Sequence, residues 1–337
     1  MRRGFRLNVQ FQQWEQKMTL LTLKKLGMVG LVSSLAFAAN AQSSSGSSST
    51  STTKVKSTKN KLNDGDIDEE ITNARMRAAN GSKSKISGSV SVGYTGASLE
   101  NPFDGIRPNL AGNAQSQSTS RLTSSLSGRY RLNKNSSISA GIGVQLLQPF
   151  QDNAKLNTNE ARLKQANVLN VRNPFIGYSS TYKVGDYQAS TSVGYTRITD
   201  KVSKSFGFQN SFDVGQSFVK AWGDSGFSTG VSFAFYQYAN SSDRLEGLVN
   251  REFGIYPIAE YQFNDTFVFR TVFGYFNYAN NNDDNFTTFN RQYEYQSMGI
   301  GIVAARNVWI YPNIQFVPDE LDAGFTNIAV SATINLF

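Results

Sequence analysis

The feature that most constrains this chain is a period-two alternation of apolar and polar residues that starts near Ser84 and continues to the end. Strand side chains point to opposite faces in turn, so each such run is a strand with one apolar and one polar face. Ile86, Val90, Val92 and Tyr94 alternate with Ser87, Ser89 and Ser91. Leu122, Leu126 and Tyr130 alternate with Arg121, Thr123, Ser125, Arg129 and Arg131, and Ile138, Ile142, Val144 and Leu146 with Ser139, Gly141, Gly143 and Gln145. Further segments follow over 176–184, 187–197, 206–218, 227–235, 253–263, 267–275, 293–305, 308–317 and 326–337, making about twelve strands. The phase slips near Gln296 and Ser297, which predicts a bulge there. Pro257 and Pro312 fall inside strands and predict local gaps in the ladder.

The connections alternate as regularly as the side chains. Short ones fall at 133–135, 185–186, 222–226, 264–265 and 306–307, each with Asn, Asp or Gly turn chemistry. Longer polar ones fall between them at 97–118, 148–173, 199–204, 241–251, 280–290 and 318–324. A sandwich of two sheets would need apolar inner faces and connections crossing between sheets. One wet face on every strand, with short and long links in alternation, predicts an all-β fold: an antiparallel, up-and-down transmembrane β-barrel over 84–337.

Ahead of the strands lie three different segments. Residues 1–41 contain Lys24 and Lys25, a short apolar run and Ala39-Asn40-Ala41, the layout of a cleaved secretory signal peptide, with residues before Met18 as a start-site extension. Residues 42–63 are rich in Ser, Thr and Lys and read as a flexible linker. Residues 64–83 read as a short helix capped by Asp66, with Asp68, Glu69 and Glu70 in its first turn and Asn80-Gly81 at its end. Its narrow stripe of Ile67, Ile71, Ala74 and Ala78 fits either a plug in the barrel mouth or a helix lying on a surface. The Asp64, Asp66, Asp68 spacing is not a calcium loop, because Glu69 stands where the loop glycine belongs and Arg75 where the last carboxylate belongs.

The last strand, Thr-Asn-Ile-Ala-Val-Ser-Ala-Thr-Ile-Asn-Leu-Phe, ends flush with the chain on an aromatic residue. It resembles the closing strand of bacterial outer-membrane β-barrels. That resemblance implies that Ile334, Leu336 and Phe337 are the signal read by the barrel-assembly machinery, and that outer-membrane lipid and lipopolysaccharide surround the protein. Aromatics such as Tyr130, Tyr187, Phe227, Phe263 and Phe267 near strand ends suit interfacial girdles. The Phe-rich faces of segments six, seven and nine suit lipid or a subunit contact alike. Loop acids including Asp319, Glu320 and Asp322 are solvated charge or bridges through divalent cations to lipopolysaccharide.

Composition narrows the function. Of the formal +8, residues 1–41 contribute six basic groups and one acid, a net of +5, which leaves +3 and gives no case for nucleic acid. The chain has no cysteine and no histidine, and no metal or cofactor set emerges. Outer-membrane phospholipases, barrel proteases and the lipid A palmitoyl transferase all use a histidine, so their sites cannot be transferred here and the chain is not expected to be an enzyme. About forty residues between signal and barrel are too few for an autotransporter passenger. With the apolar faces outward, the lumen receives Arg121, Arg129, Arg131, Asp213, Glu260 and Arg270 as pore-lining candidates. The resulting expectation is a water-filled channel for small hydrophilic solutes, with the arginines favouring anions. The alternative is a closed barrel that acts through its outer loops.

Overall fold

The computed structural model describes residues 71–81, 83–108, 118–151, 169–200, 203–204, 207–240, 249–280, 290–319 and 321–336. The signal peptide, the 42–63 linker, Asp66 with its acidic neighbours, Glu320 and Phe337 lie outside them.

Among the described residues, twelve strands form one closed ring, and each pairs antiparallel with its sequence neighbours. They are β1 (Ile86–Ser98), β2 (Arg121–Arg131), β3 (Ser136–Leu147), β4 (Leu169–Val184), β5 (Tyr187–Arg197) and β6 (Phe208–Ala221). The second half is β7 (Phe227–Asn240), β8 (Val249–Gln262), β9 (Phe267–Asn280), β10 (Asn290–Ala305), β11 (Val308–Phe316) and β12 (Asn327–Leu336). The ring closes where β1 meets β12, with Val90 opposite Ile334 and Val92 opposite Ala332. Closure leaves no strand edge unpaired, which removes the usual liability of an all-β protein. Each strand has 9 to 16 residues, enough to cross a hydrocarbon layer at a barrel's tilt.

The alternation holds round the ring. Leu126, Ile138, Ile142, Ile176, Phe212 and Phe273 stand exposed on the outer surface. Ser91 and Ser125 face each other inside, their hydroxyls 2.6 Å apart, as do Ser217 and Ser232 at 2.7 Å. At the end that carries the short turns, Tyr130, Tyr187, Trp222, Phe227, Phe263 and Phe267 form an exposed aromatic belt. Lys220 Nζ sits 5.0 Å from the Trp222 ring and 5.7 Å from that of Tyr187.

Three local readings need correction. The register runs unbroken through Gln296 and Ser297, opposite Phe273 and Val272, and the irregularities of β10 lie on either side of that point. The apparent slip arose because Gln296 is polar yet points outward, where its amide donates to Thr271 Oγ1 at 3.0 Å. The fourth strand starts at Leu169, inside the stretch read as a loop. A bulge at Asn173, held at φ +52°, absorbs the break that Asn173-Pro174 introduces. The helix is shorter than expected. It spans Ala74–Asn80 (α1), and Asn73, not Asp66, is its N-cap, with Asn73 Oδ1 accepting from the Met76 amide at 3.1 Å. The prolines behave as expected: the β8–β9 ladder lapses at Tyr256 and Pro257, and the β10–β11 ladder at Tyr311 and Pro312.

Candidate functional site: a helix seated in the lumen

α1 touches strands on every side of the ring, so it lies inside the barrel, at the short-turn end. A helix with its side chains is about 10–12 Å across, and only a barrel this wide can take one in. Seven residues are too few to hold a helix unaided, so its stability comes from its surroundings.

Its N-terminus is held from β5, β8 and β9. The Asn73 amide donates to Gln188 Oε1 at 2.8 Å, and the Gln188 amide group donates to Thr72 Oγ1 at 2.9 Å. Asn73 Nδ2 donates to Glu260 Oε2 at 2.6 Å. Glu260, 3% exposed, is the hub of this end: Arg270 Nε donates to its other oxygen at 2.9 Å, and Arg75 Nε lies 3.9 Å from the same atom. Arg270 also lies over the Tyr311 ring at 5.3 Å. Burial, with Arg270 close by, draws the Arg75 guanidinium down to about 10 while Glu260 pulls it up, so it stays protonated at neutral pH.

Two apolar contacts seat the middle of α1. Ile71 and Met76 pack on Val219 of β6, and Ala78 packs with Val268, Trp309 and Tyr311 on β9 and β11. Room for the Trp309 indole comes from Gly301 on the neighbouring strand, where a Cβ would run into the ring.

The C-terminus ends in a set of donors. Asn335 Nδ2 donates to the Ala78 carbonyl at 2.7 Å and Arg129 to that of Ala79 at 3.0 Å. Arg131 donates to the Asn80 carbonyl at 3.4 Å and Arg306 to that of Gly81 at 2.8 Å. These carbonyls lie at the partially negative end of the helix, where cations are favoured, and that of Ala78 also accepts from the Gly81 amide. Gly81 closes the helix at φ +81° and ψ −166°, a conformation almost reserved for glycine, and a Cβ there would strike Arg129. Gly81→Ala is therefore expected to weaken docking by about 1–3 kcal/mol. Limited trypsin digestion would register this as a roughly tenfold to hundredfold faster cut after Arg75 and Arg77, with the barrel intact.

No family model matches this sequence, and no curated protein matches it. Similar solved structures include an outer-membrane channel from Pseudomonas putida F1, at 8% identity and TM-score 0.47, covering 76% of this chain and 97% of that one. OmpF of Salmonella typhi in complex with daunomycin aligns at 9% identity and TM-score 0.33, covering 77% and 99%. The porin NanC aligns at 8% identity and TM-score 0.38, covering 74% and 97%.

Four of the six pore-lining candidates, Arg129, Arg131, Glu260 and Arg270, touch α1 or the carboxylate that holds it. Arg121 is exposed at the long-loop end of β2, and Asp213 faces inward on β6 opposite Tyr236. Sequence reasoning missed Asn73, Gln188, Arg306 and Asn335. Of these, only the inward phase of Asn335 left a trace in the alternation. Ile334 and Leu336 lie on the outward face of β12, with Ile334 opposite Val90 and Leu336 opposite Gly88.

At the other end, the first long connection bends inward. Its Ile106–Arg107 pairs with Ser118–Thr119, and Arg107 donates to Gln315 of β11. Gln148, buried, donates to the Gly105 carbonyl, tying the second long connection to the first. Between this inturned segment and α1 lies a cavity of about 380 Å³, lined by Ser232, Tyr256, Arg270, Tyr295, Asn313 and Gln315 among others. Among the described residues no group of three carboxylates is placed to hold a metal ion.

Proposed function

We propose that the protein is a Gram-negative outer-membrane channel for small hydrophilic solutes, closed at its periplasmic end by α1. The observation that carries this reading is the pairing of an apolar outer face with a lumen of serine, glycine, amide and charged groups. Such a lumen hydrates, whereas a barrel built only for support can fill its interior with apolar side chains. In this reading residues 1–41 direct export and are removed, and the 42–63 linker lies in the periplasm. The barrel-assembly machinery reads Ile334, Leu336 and Phe337, and the belts of Tyr, Trp and Phe sit at the lipid and lipopolysaccharide boundaries.

Charged groups of both signs face the lumen, with Glu260 met by Arg270 and Arg75. β2 contributes Arg121, Arg129 and Arg131, and β8, opposite it in a ring of twelve, contributes Glu252 and Glu260 beside Asp213 of β6. Arg121 lies exposed at the long-loop end of β2, opposite Thr95 and Leu147 in the ladder. Arg121→Ala is expected to lower the chloride-to-potassium permeability ratio about twofold to fivefold, read as a shift in reversal potential under a salt gradient.

The test is planar-bilayer conductance of the mature chain, residues 42–337, in potassium chloride. Brief openings of the native protein and larger, longer ones in Glu260→Ala support the channel. Silence from both, with folding confirmed by heat-modifiable gel mobility, contradicts it and favours a closed barrel that works through its outer loops.

A further inference from the structure

The chamber between the inturned segment and α1 has two unlike walls. β1 and β12 line it with small residues, Gly93, Ala329 and Ser331, which leave the space open. β8, β10 and β11 bring Tyr256, Tyr295, Asn313 and Gln315. A Cβ on Gly254 would run into the Tyr256 side chain and one on Gly274 into the Tyr295 ring, so both side chains lie along the wall over a glycine. The two amides are fixed in place. Gln315 Nε2 donates to Asn313 Oδ1 at 3.3 Å, Ser297 Oγ donates to the same oxygen at 3.2 Å, and Asn313 Nδ2 donates to the Tyr311 carbonyl at 3.1 Å. Each of these NH2 groups has a second hydrogen to offer. Among the described lining residues Arg270 is the one charged group, and the Glu260 carboxylate accepts from it at 2.9 Å.

We propose that this chamber binds a neutral sugar of one or two rings, stacked on Tyr256 and Tyr295 and hydrogen-bonded by Asn313, Gln315 and Ser232. This rests on the channel reading and names a class of solute for it. A pyranose carries C–H bonds on its ring faces and hydroxyls round its rim. The C–H hydrogens are slightly positive and suit the negative face of an aromatic ring. The rim hydroxyls both donate and accept, as an amide does. A charged solute would give up its hydration for a wall whose one charge already has a partner. The cavity of about 380 Å³ falls at the small end of the roughly 300–1,000 Å³ of small-molecule sites, which commonly combine aromatic walls with a few convergent polar groups. Stacking and neutral hydrogen bonds also hold a solute weakly enough to let it go, as passage through a channel requires.

The test is isothermal titration calorimetry of the mature protein in detergent micelles, with glucose and maltose as probes and glucuronate as the charged control. Both neutral sugars should bind, and glucuronate severalfold more weakly. Tyr256→Leu and Tyr295→Leu remove the aromatic face and should each weaken binding about twofold to tenfold, while phenylalanine at either position keeps most of the affinity. Asn313→Ala leaves both rings in place and tests the polar wall separately, with a loss of about twofold to tenfold. Heat-modifiable gel mobility confirms that each variant is folded. Absence of sugar binding in the native protein and in Gly81→Ala, whose plug is looser, overturns the site. So does an affinity unchanged in Tyr256→Leu, Tyr295→Leu and Asn313→Ala alike, or tighter binding of glucuronate than of glucose. Failure of the channel reading shows differently, as a silent bilayer from a protein that still binds the sugars. Conductance without sugar binding overturns the sugar site and leaves the channel standing.

Discussion

Replacing Glu260 by alanine is expected to unseat α1 while the barrel remains folded. This one carboxylate accepts from Asn73 and Arg270 and lies within ion-pair range of Arg75, so its loss strands two guanidiniums facing each other and removes the anchor of the helix cap. Breaking a buried pair by removing one partner costs about 3–5 kcal/mol, because the remaining charge stays where water is scarce. The ladders between β8, β7 and β9 are backbone bonds and do not depend on the side chain. The cost therefore falls on docking, and a helix of seven residues has no means of absorbing it. Conductance should rise by at least tenfold in open probability. Glu260→Gln keeps an acceptor for Asn73 without the charge and should fall between the two. If Glu260→Ala conducts and digests like the native protein, the carboxylate is not the anchor.

The second large effect distinguishes the two faces of the barrel. Ile142, near the middle of β3 and 40% exposed, points outward, whereas Ser125 of the adjacent β2 points inward. An arginine on a lipid-facing strand near the bilayer midplane costs about 2–4 kcal/mol, and one facing a wet lumen costs little. Ile142→Arg should thus lower the urea midpoint of folding into vesicles and slow insertion, while Ser125→Arg should fold normally and change ion selectivity. Equal tolerance of both would mean that the outer surface does not face hydrocarbon.

Much of this architecture was legible because the outer face enforces a strict phase. Val90, Val92, Leu126 and Ile138 could be assigned outward from spacing alone, and with them every inward neighbour. Alternation reports which side a residue faces but not what lies there. Alternation turns Arg129, Arg131, Glu260 and Arg270 inward, while the groups of α1 and its cap that Arg129 and Glu260 meet are 50 and 187 positions away and leave no local pattern. The same limit misplaced the start of the helix. Asp66 and its acidic neighbours carry the usual signature of a helix start, yet the cap at Asn73 is fixed by Gln188 and Glu260, which belong to distant strands. Gln296 misled for a related reason, since a polar side chain on the outer face satisfied by Thr271 looks like a change of phase.

Amide hydrogen exchange across α1, in the mature protein embedded in a bilayer, tests the central claim most directly. The Arg77 amide donates to the Asn73 carbonyl at 3.0 Å and the Gly81 amide to that of Ala78 at 3.1 Å, in a helix that could not persist free in water. Seated in the lumen, these amides should exchange about a thousandfold or more slowly than in an unstructured peptide, and Glu260→Ala should erase most of that protection. Exchange at the unstructured rate, with the strand amides still protected, would place α1 outside the barrel and contradict the plug.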